Sequence, residues 1–499
     1  MSEKKPSSGK IEFDVTFGTR AMPVPRNSDS PFCLVVLGDF SGRASRGLAE
    51  PVASRRPAAI DVDNFDRAIE KMGVALRLSN PEAGDRVDEL KFASLEDFHP
   101  DEVLKRLPEL SKLLELRQRL QNAATASAAA AELQNLLAVP PASSSSAPTP
   151  GTPAESNEDT LARLMGNSPA PKPATGMIDI SSLIKNIVAP SVVPHLPAQQ
   201  TGTLAALELE LTTRLRGVLH HPQFQALEAA WRSVDFLVRN LDAEENLKLY
   251  LLDVSKAELA ADLKAQAELQ ASGIYSVLYG QPWAAILADY SFDESLADLE
   301  MLRSMATISS WLGAPFVAAA SPHLVGCESF ALQPGSNNWT RSIPPESKQA
   351  WHALRQMPEA GHLGLALPRF LIRQPYGKGS DEIEAFPFED LPHPASHESY
   401  LWGNPAFLCG HILADAFKEN GWDFDASGGG EIGDLPGYNF EEDGETQVKP
   451  CAEVWLTIRA ADRILEQGIM PVLSIKGRNE VRLASMQSVS NEGKPLRFR

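Results

Sequence analysis

From Asn122 to about Thr175 the chain is built mainly from alanine, serine, proline and glycine, including Ser143 to Ser146 and Pro148 to Pro153. Such a stretch cannot bury enough apolar surface to offset the entropy of ordering it. It predicts a largely disordered linker over 122–176, extended where its prolines cluster. Ala123 to Val139 carries enough Ala and Leu to begin that stretch as a marginal helix. The break divides the chain into an N-terminal unit, 10–121, and a larger C-terminal unit, 177–499. A length of 499 residues also exceeds what one core usually organises.

Hydrophobic periodicity fills in both units. Ile11, Phe13, Val15 and Phe17 alternate with polar residues, the pattern of a half-buried strand. Phe32 to Leu37 is continuously apolar, so it reads as a strand buried on both faces that ends in a Gly38-Asp39 turn. Asp63 is placed to cap a helix with Phe65, Ile69 and Met72 on its inner face. Pro100 opens another helical stretch, with Val103, Leu107, Leu110 and Leu114 as its stripe, and Pro108 splits it in two.

In the C-terminal unit, Leu204, Leu207, Leu211 and Leu215 mark one helix. Phe224, Leu227, Trp231 and Val234, behind Pro222, mark a second, and their spacing assigns them to the core. Strands are predicted over Leu247 to Leu252, Ala284 to Leu287, Pro315 to Ala320, Val454 to Ile458 and Met470 to Ile475. Helices are predicted over Asp298 to Leu312 and Phe407 to Asn420. This alternation predicts a mixed α/β fold (α/β with α+β character), made of two packed units.

Sixty-five acidic against 46 basic residues give a net charge of -19 and an isoelectric point near 5.1. That surface repels nucleic-acid phosphates and anionic lipid, so neither is an expected partner. The four cysteines, Cys33, Cys327, Cys409 and Cys451, show no C-x-x-C spacing, which argues against a zinc site or a disulfide framework and fits a reducing compartment. Met1 to Lys10 has no apolar region of the secretory kind, and no apolar run reaches the ~18 residues of a membrane helix, so a cytoplasmic protein is expected.

No catalytic, metal or cofactor site is predicted. Gly428 to Gly430 lack the Lys-Ser or Lys-Thr of a phosphate loop and precede two acids, Glu431 and Asp434, so they read as a loop. His220 and His221 are neighbours without a third ligand, suited to a helix-entry turn. Cys409 lies near His397 and His411 in sequence, yet within an apolar helix, where it acts as a small hydrophobe. Arg369 and Arg373 could bind an anion, but the excess of acids favours internal salt bridges. Asp39 suits a turn.

Three N-terminal segments resemble the small sheath subunit of type VI secretion systems: Phe32 to Arg43 (FCLVVLGDFSGR), Arg56 to Phe65 (RPAAIDVDNF) and Phe98 to Leu120 (FHPDEVLKRLPELSKLLELRQRL). The C-terminal unit resembles the large sheath subunit. Its most distinctive stretches are Leu219 to Arg232 (LHHPQFQALEAAWR), His397 to Phe407 (HESYLWGNPAF), Leu365 to Tyr376 (LALPRFLIRQPY) and Ala461 to Pro471 (ADRILEQGIMP).

The resemblance implies a non-enzymatic building block of a contractile sheath. In that family small and large subunits pair and polymerise around an inner tube, partly by exchanging strands. Ile11, Phe13 and Val15 are the expected exchange strand. A short amphipathic helix carrying Leu183, Ile184, Ile187 and Val188 falls where the family's hexameric Clp-type disassembly ATPase engages the large subunit. Family large subunits also continue past the position of Ala484 to Leu496. The expectation therefore spans a fused protomer or sheath-like accessory and, alternatively, an adaptor linking sheath subunits to baseplate or ATPase. An enzyme with an unrecognised site is the remaining alternative.

Overall fold

The computed structural model describes residues 26–137 and 196–498, apart from 28, 49, 81–85, 123, 242–245, 332, 334, 393, 394, 426, 443 and 492. Ile11, Phe13, Val15, Leu183, Ile184, Ile187 and Val188 lie outside the described residues, as does most of the predicted linker. The start of that linker holds a helix, Ala126–Leu137.

Nine strands share one sheet. They are β1 (Phe32–Gly38), β2 (Ala58–Ile60), β3 (Leu247–Asp253), β4 (Trp283–Phe292), β5 (Phe316–Ala320), β6 (Leu363–Leu367), β7 (Gly430–Ile432), β8 (Met470–Ser474) and β9 (Val481–Leu483). Their order across the sheet is β7-β9-β8-β6-β5-β4-β1-β3-β2. The run from β8 to β3 is parallel, and antiparallel strands close both edges.

The continuous apolar run predicted as a doubly buried strand is β1, and both its neighbours come from the C-terminal unit. Leu34 pairs with Leu249 of β3 on one side and with Ala285 of β4 on the other. Phe32, Leu34 and Val36 enter the core on one face of the sheet, while Cys33, Val35 and Leu37 enter the core on the other. A seven-residue strand from one sequence unit thus completes the sheet of the other.

Helices cover both faces. On one face lie α1 (Phe65–Met72), α2 (Pro100–Arg106), α3 (Pro108–Gln121), α4 (Ala126–Leu137), α5 (Leu196–Leu219), α6 (Pro222–Asn240) and α11 (Pro405–Asn420). On the other lie α7 (Lys256–Ala265), α8 (Gly273–Leu278), α9 (Leu296–Leu312), α10 (Pro345–Gln356) and α12 (Ile458–Glu466). The chain passes from β1 to β3 through the first layer, then steps back through β4, β5 and β6 by way of the second. Opposite directions on opposite faces are what a single handedness of crossover demands. The reversal falls between β1 and β4, which is a topological switch point.

Phe224, Leu227 and Trp231 of α6 are buried, the indole meeting Phe40 and Phe65 edge-on. Pro108 does divide α2 from α3, with Leu107 extended between them. Three local expectations need correction. Val454 to Thr457 is not a strand, because Thr457 accepts the Ala460 amide and caps α12 at Ile458. Asp63 does not cap α1. Asn64 stands at its N-terminus, held by the Asp61 carboxylate on its amide at 2.9 Å. The short strand of Ala284 to Leu287 runs for ten residues to Phe292, because β5 resumes pairing with Ser291 and Phe292 after a bulge.

Candidate functional site

The join between the two sequence units is charged where β1 and β3 end. The Asp253 carboxylate, last residue of β3, accepts the amides of Phe40 and Ser41 at 2.9 and 3.1 Å and the Ser41 hydroxyl at 2.7 Å. Burial nevertheless raises its pKa, outweighing those bonds. Asp39 takes the turn role expected of it, accepting the amides of Arg43 at 2.6 Å and Ala44 at 2.9 Å. Arg43 and Arg55, both buried, then reach Glu258 in the first turn of α7, at 3.1 and 2.5 Å. Burial pushes the Glu258 carboxyl up, but hydrogen bonds from Arg55, the Ser255 amide and Arg43 prevail and hold it at about 2. Ser255 and Glu258 also form a reciprocal capping box.

A second network lies under α6. Glu228, fully buried, accepts from Arg232 Nε and Arg373 Nε, both at 2.8 Å. Arg373 Nη1 donates to Asp390 at 2.8 Å, and His220 Nε2 lies 2.9 Å from the other Asp390 oxygen. Burial alone would raise the Asp390 carboxyl, yet Arg373 and His220 bring it down to about 2. Removing one member of such a set strands its partner's charge in the core. The network binds together the segments Leu219 to Arg232 and Leu365 to Tyr376.

At the carboxyl ends of β4, β5 and β6 a crevice of about 430 Å³ opens. The small side chains of Ala226 and Ala229 on α6 leave room for it, and Asn404, which caps α11 through the Ala406 amide at 3.0 Å, forms part of its rim. Asp289 of β4 faces the crevice, one residue beyond the Leu37 and Ala288 pair. Burial pushes its carboxyl up to about 7 and the Asp39 charge adds to this, against a hydrogen bond from Asn404. His397, Glu398 and Glu453 bring one ligand atom each within 4.8 Å of one another. A guanidinium already occupies that position: Arg369 Nη2 donates to Glu398 at 3.0 Å and Glu453 at 2.5 Å. His397 Nε2 lies 2.8 Å from the same Glu453 oxygen, and Lys449 Nζ lies 3.4 Å from His397 Nδ1. The group is a salt-bridge knot rather than a metal centre.

The other sequence candidates sit apart. Cys409 is buried in α11, and burial pushes its thiol up to about 12, far from a nucleophile. His221 accepts the Gln223 amide at the start of α6. Arg373 is internally paired, as expected from the acid excess. Gly430 belongs to β7 rather than to a loop, and Gly429 packs its left-handed backbone against the Leu483 carbonyl. Asp289 escaped notice because one acid in a strand carries no motif. Glu258 had a legible signal, since Ser255 and Glu258 have capping-box spacing.

Residues 201–490 match the family model VipB, the EvpB-type tail sheath N-terminal domain. That stretch holds all of the parallel sheet except β1. The chain belongs to the type VI secretion sheath family. Residues 7–140, which contain β1, match the family model for VipA of the type VI secretion system. Both sheath parts, small and large, are thus fused in one chain. A sheath protein of Pseudomonas aeruginosa, TssC1, is 32% identical over 326 residues, covering 62% of this chain and 64% of its own length. The sheath protein TssB1 of the same organism is 32% identical over 121 residues, covering 23% of this chain and 67% of its own. The chain therefore spans just under two thirds of the length of its large-subunit relative. Among the described residues of this sheath-family chain, no helix is long and apolar enough to cross a membrane.

Proposed function

We propose that this chain is a cytoplasmic structural protomer of a type VI secretion contractile sheath, assembling with other sheath subunits or with copies of itself. The observation that carries the reading is the place of β1. The strand from the VipA-like part lies inside the sheet of the VipB-like part, between β3 and β4, so the pair is built as one unit. The charged groups at the join and under α6 are tied up in ion pairs and backbone hydrogen bonds with one another, which supports a structural role over a catalytic one. Val448, Trp455 and Ile458 place apolar area on the surface, Ile458 with 84% of its area exposed, where a partner subunit would cover it.

The finer contacts belong to the same proposal. Ile11, Phe13 and Val15 would add a strand to a neighbour. Leu183, Ile184, Ile187 and Val188 would meet the disassembly ATPase. Inner tube and baseplate are further partners of the assembled sheath. The units 10–121 and 177–499 are the proposed sheath-type parts. Electron microscopy of the full chain, alone and mixed with separate small and large sheath subunits, tests the central reading. Helical or ring polymers, or incorporation into sheaths, are expected. A chain that stays monomeric and joins neither subunit overturns it. A peptide covering 176–189 that binds the ATPase no better than its scrambled version removes that contact alone.

A further inference from the structure

We propose that the crevice at the carboxyl ends of β4, β5 and β6 is a binding site for a guanidinium or primary ammonium group. Its position is the first ground. In open parallel sheets, ligands enter outside the carboxyl ends of the strands, and the crevice opens there on β4, β5 and β6, with β4 forming one side of the β1–β4 switch point. Size is the second, because about 430 Å³ lies within the roughly 300–1,000 Å³ range of small-ligand pockets.

Charge decides the class of ligand. Glu398 and Glu453 on the wall share Arg369, with His397 and Lys449 behind them, so that part is close to neutral. Asp289 has no such cation. Its neighbours are the Asn404 amide and the like charge of Asp39, and among the described residues no ion pair reaches it. Glu328 on the wall is paired with Arg341, so an anionic ligand would meet Asp289 unfavourably, whereas a cation would pair with the acid that, among the described residues, has no ion pair. Phe330 and Trp402 also line the crevice, but the Trp402 ring already carries Arg369 and Lys449, so the ligand cation is assigned to Asp289 and not to an aromatic face.

Calorimetric titration of the full chain with N-acetyl-argininamide, against the neutral isostere N-acetyl-citrullinamide, tests the site. The arginine derivative is expected to bind at least about tenfold tighter, since buried charge pairs dominate such discrimination. Asp289→Asn should abolish that preference, and Glu398→Gln, at an exposed wall position, should weaken it. Absence of saturable binding to the folded chain overturns the proposal, as does an unchanged preference in both variants. Sedimentation separates the sources. If the derivative dissolves oligomers, the natural occupant is a basic side chain of a neighbouring chain. If it binds without changing the assembly, the occupant is a free cation. Polymer formation is scored independently, so failure here leaves the sheath reading standing.

Discussion

Trp231 donates its indole N–H to the carbonyl of Phe40 over 2.8 Å, although the two residues lie 191 positions apart. Trp231 lies in the VipB-like part and Phe40 lies two residues past the end of β1 in the VipA-like part. The ring is buried and packs edge-on against Phe40 and Phe65, so a single side chain fastens both parts to one core.

Trp231→Ala is accordingly expected to cost about 3–5 kcal/mol through the cavity it leaves. Trp231→Phe keeps most of the packing but orphans the Phe40 carbonyl, at about 1–3 kcal/mol. Urea denaturation of the two variants should rank them in that order. Equal losses would mean that the hydrogen bond, and not the ring, dominates.

Splitting the chain within 138–195 and co-expressing 1–137 with 138–499 should give a stable complex, because β1 has a ladder waiting on each side. The larger piece made alone should aggregate, since the unfilled gap between β3 and β4 leaves two strand edges unpaired. Size-exclusion chromatography would reveal two independent soluble monomers if this picture of the join is mistaken.

Acid should loosen the join at Glu258. Its folded carboxyl titrates near 2, below the usual unfolded value of about 4.3. Stability from this group is therefore complete above about pH 5 and drains away as the pH falls toward 2. Glu258→Gln should lower the melting temperature at pH 7 and flatten its decline between pH 5 and 3. Parallel melting curves for the two proteins would contradict this.

Asp289 has the opposite sign. Its folded carboxyl titrates near 7, above the usual unfolded value of about 3.9, so its charged form weighs against the fold increasingly from about pH 4 to pH 7. Asp289→Asn should melt higher than the parent at pH 8 and alike at pH 4. A variant no more stable at pH 8 would show that the carboxylate is compensated in the fold.

The long elements were legible because burial on one or both faces writes itself into periodicity. Phe32 to Leu37 read as a doubly buried strand, and Phe224, Leu227 and Trp231 read as core, without any structure. Their neighbours in space were not legible, since nothing in FCLVVL names β3 and β4 as its partners. The crevice was hidden for a related reason. Asp289, Arg369, Asn404 and Glu453 come from four separate stretches, and only the meeting of strand ends brings them together. The strand wrongly expected at Val454 to Ile458 has apolar residues in the right number. A threonine cap and a helix start at Ile458 outweighed them.

The seat of β1 between β3 and β4 also sets an order of events in time. Asp253, which secures the turn after β1, is synthesised 213 positions after Phe40. At about 5–20 residues per second, the ribosome takes roughly 10–40 s to supply that partner. Throughout that interval a seven-residue apolar strand has no sheet to join. Its helices α1 to α3 can shield one face at most, and non-local pairing of this kind folds slowly. Fusion does not shorten the wait, but it ensures that the awaited strands arrive on the same polypeptide, one copy for each copy.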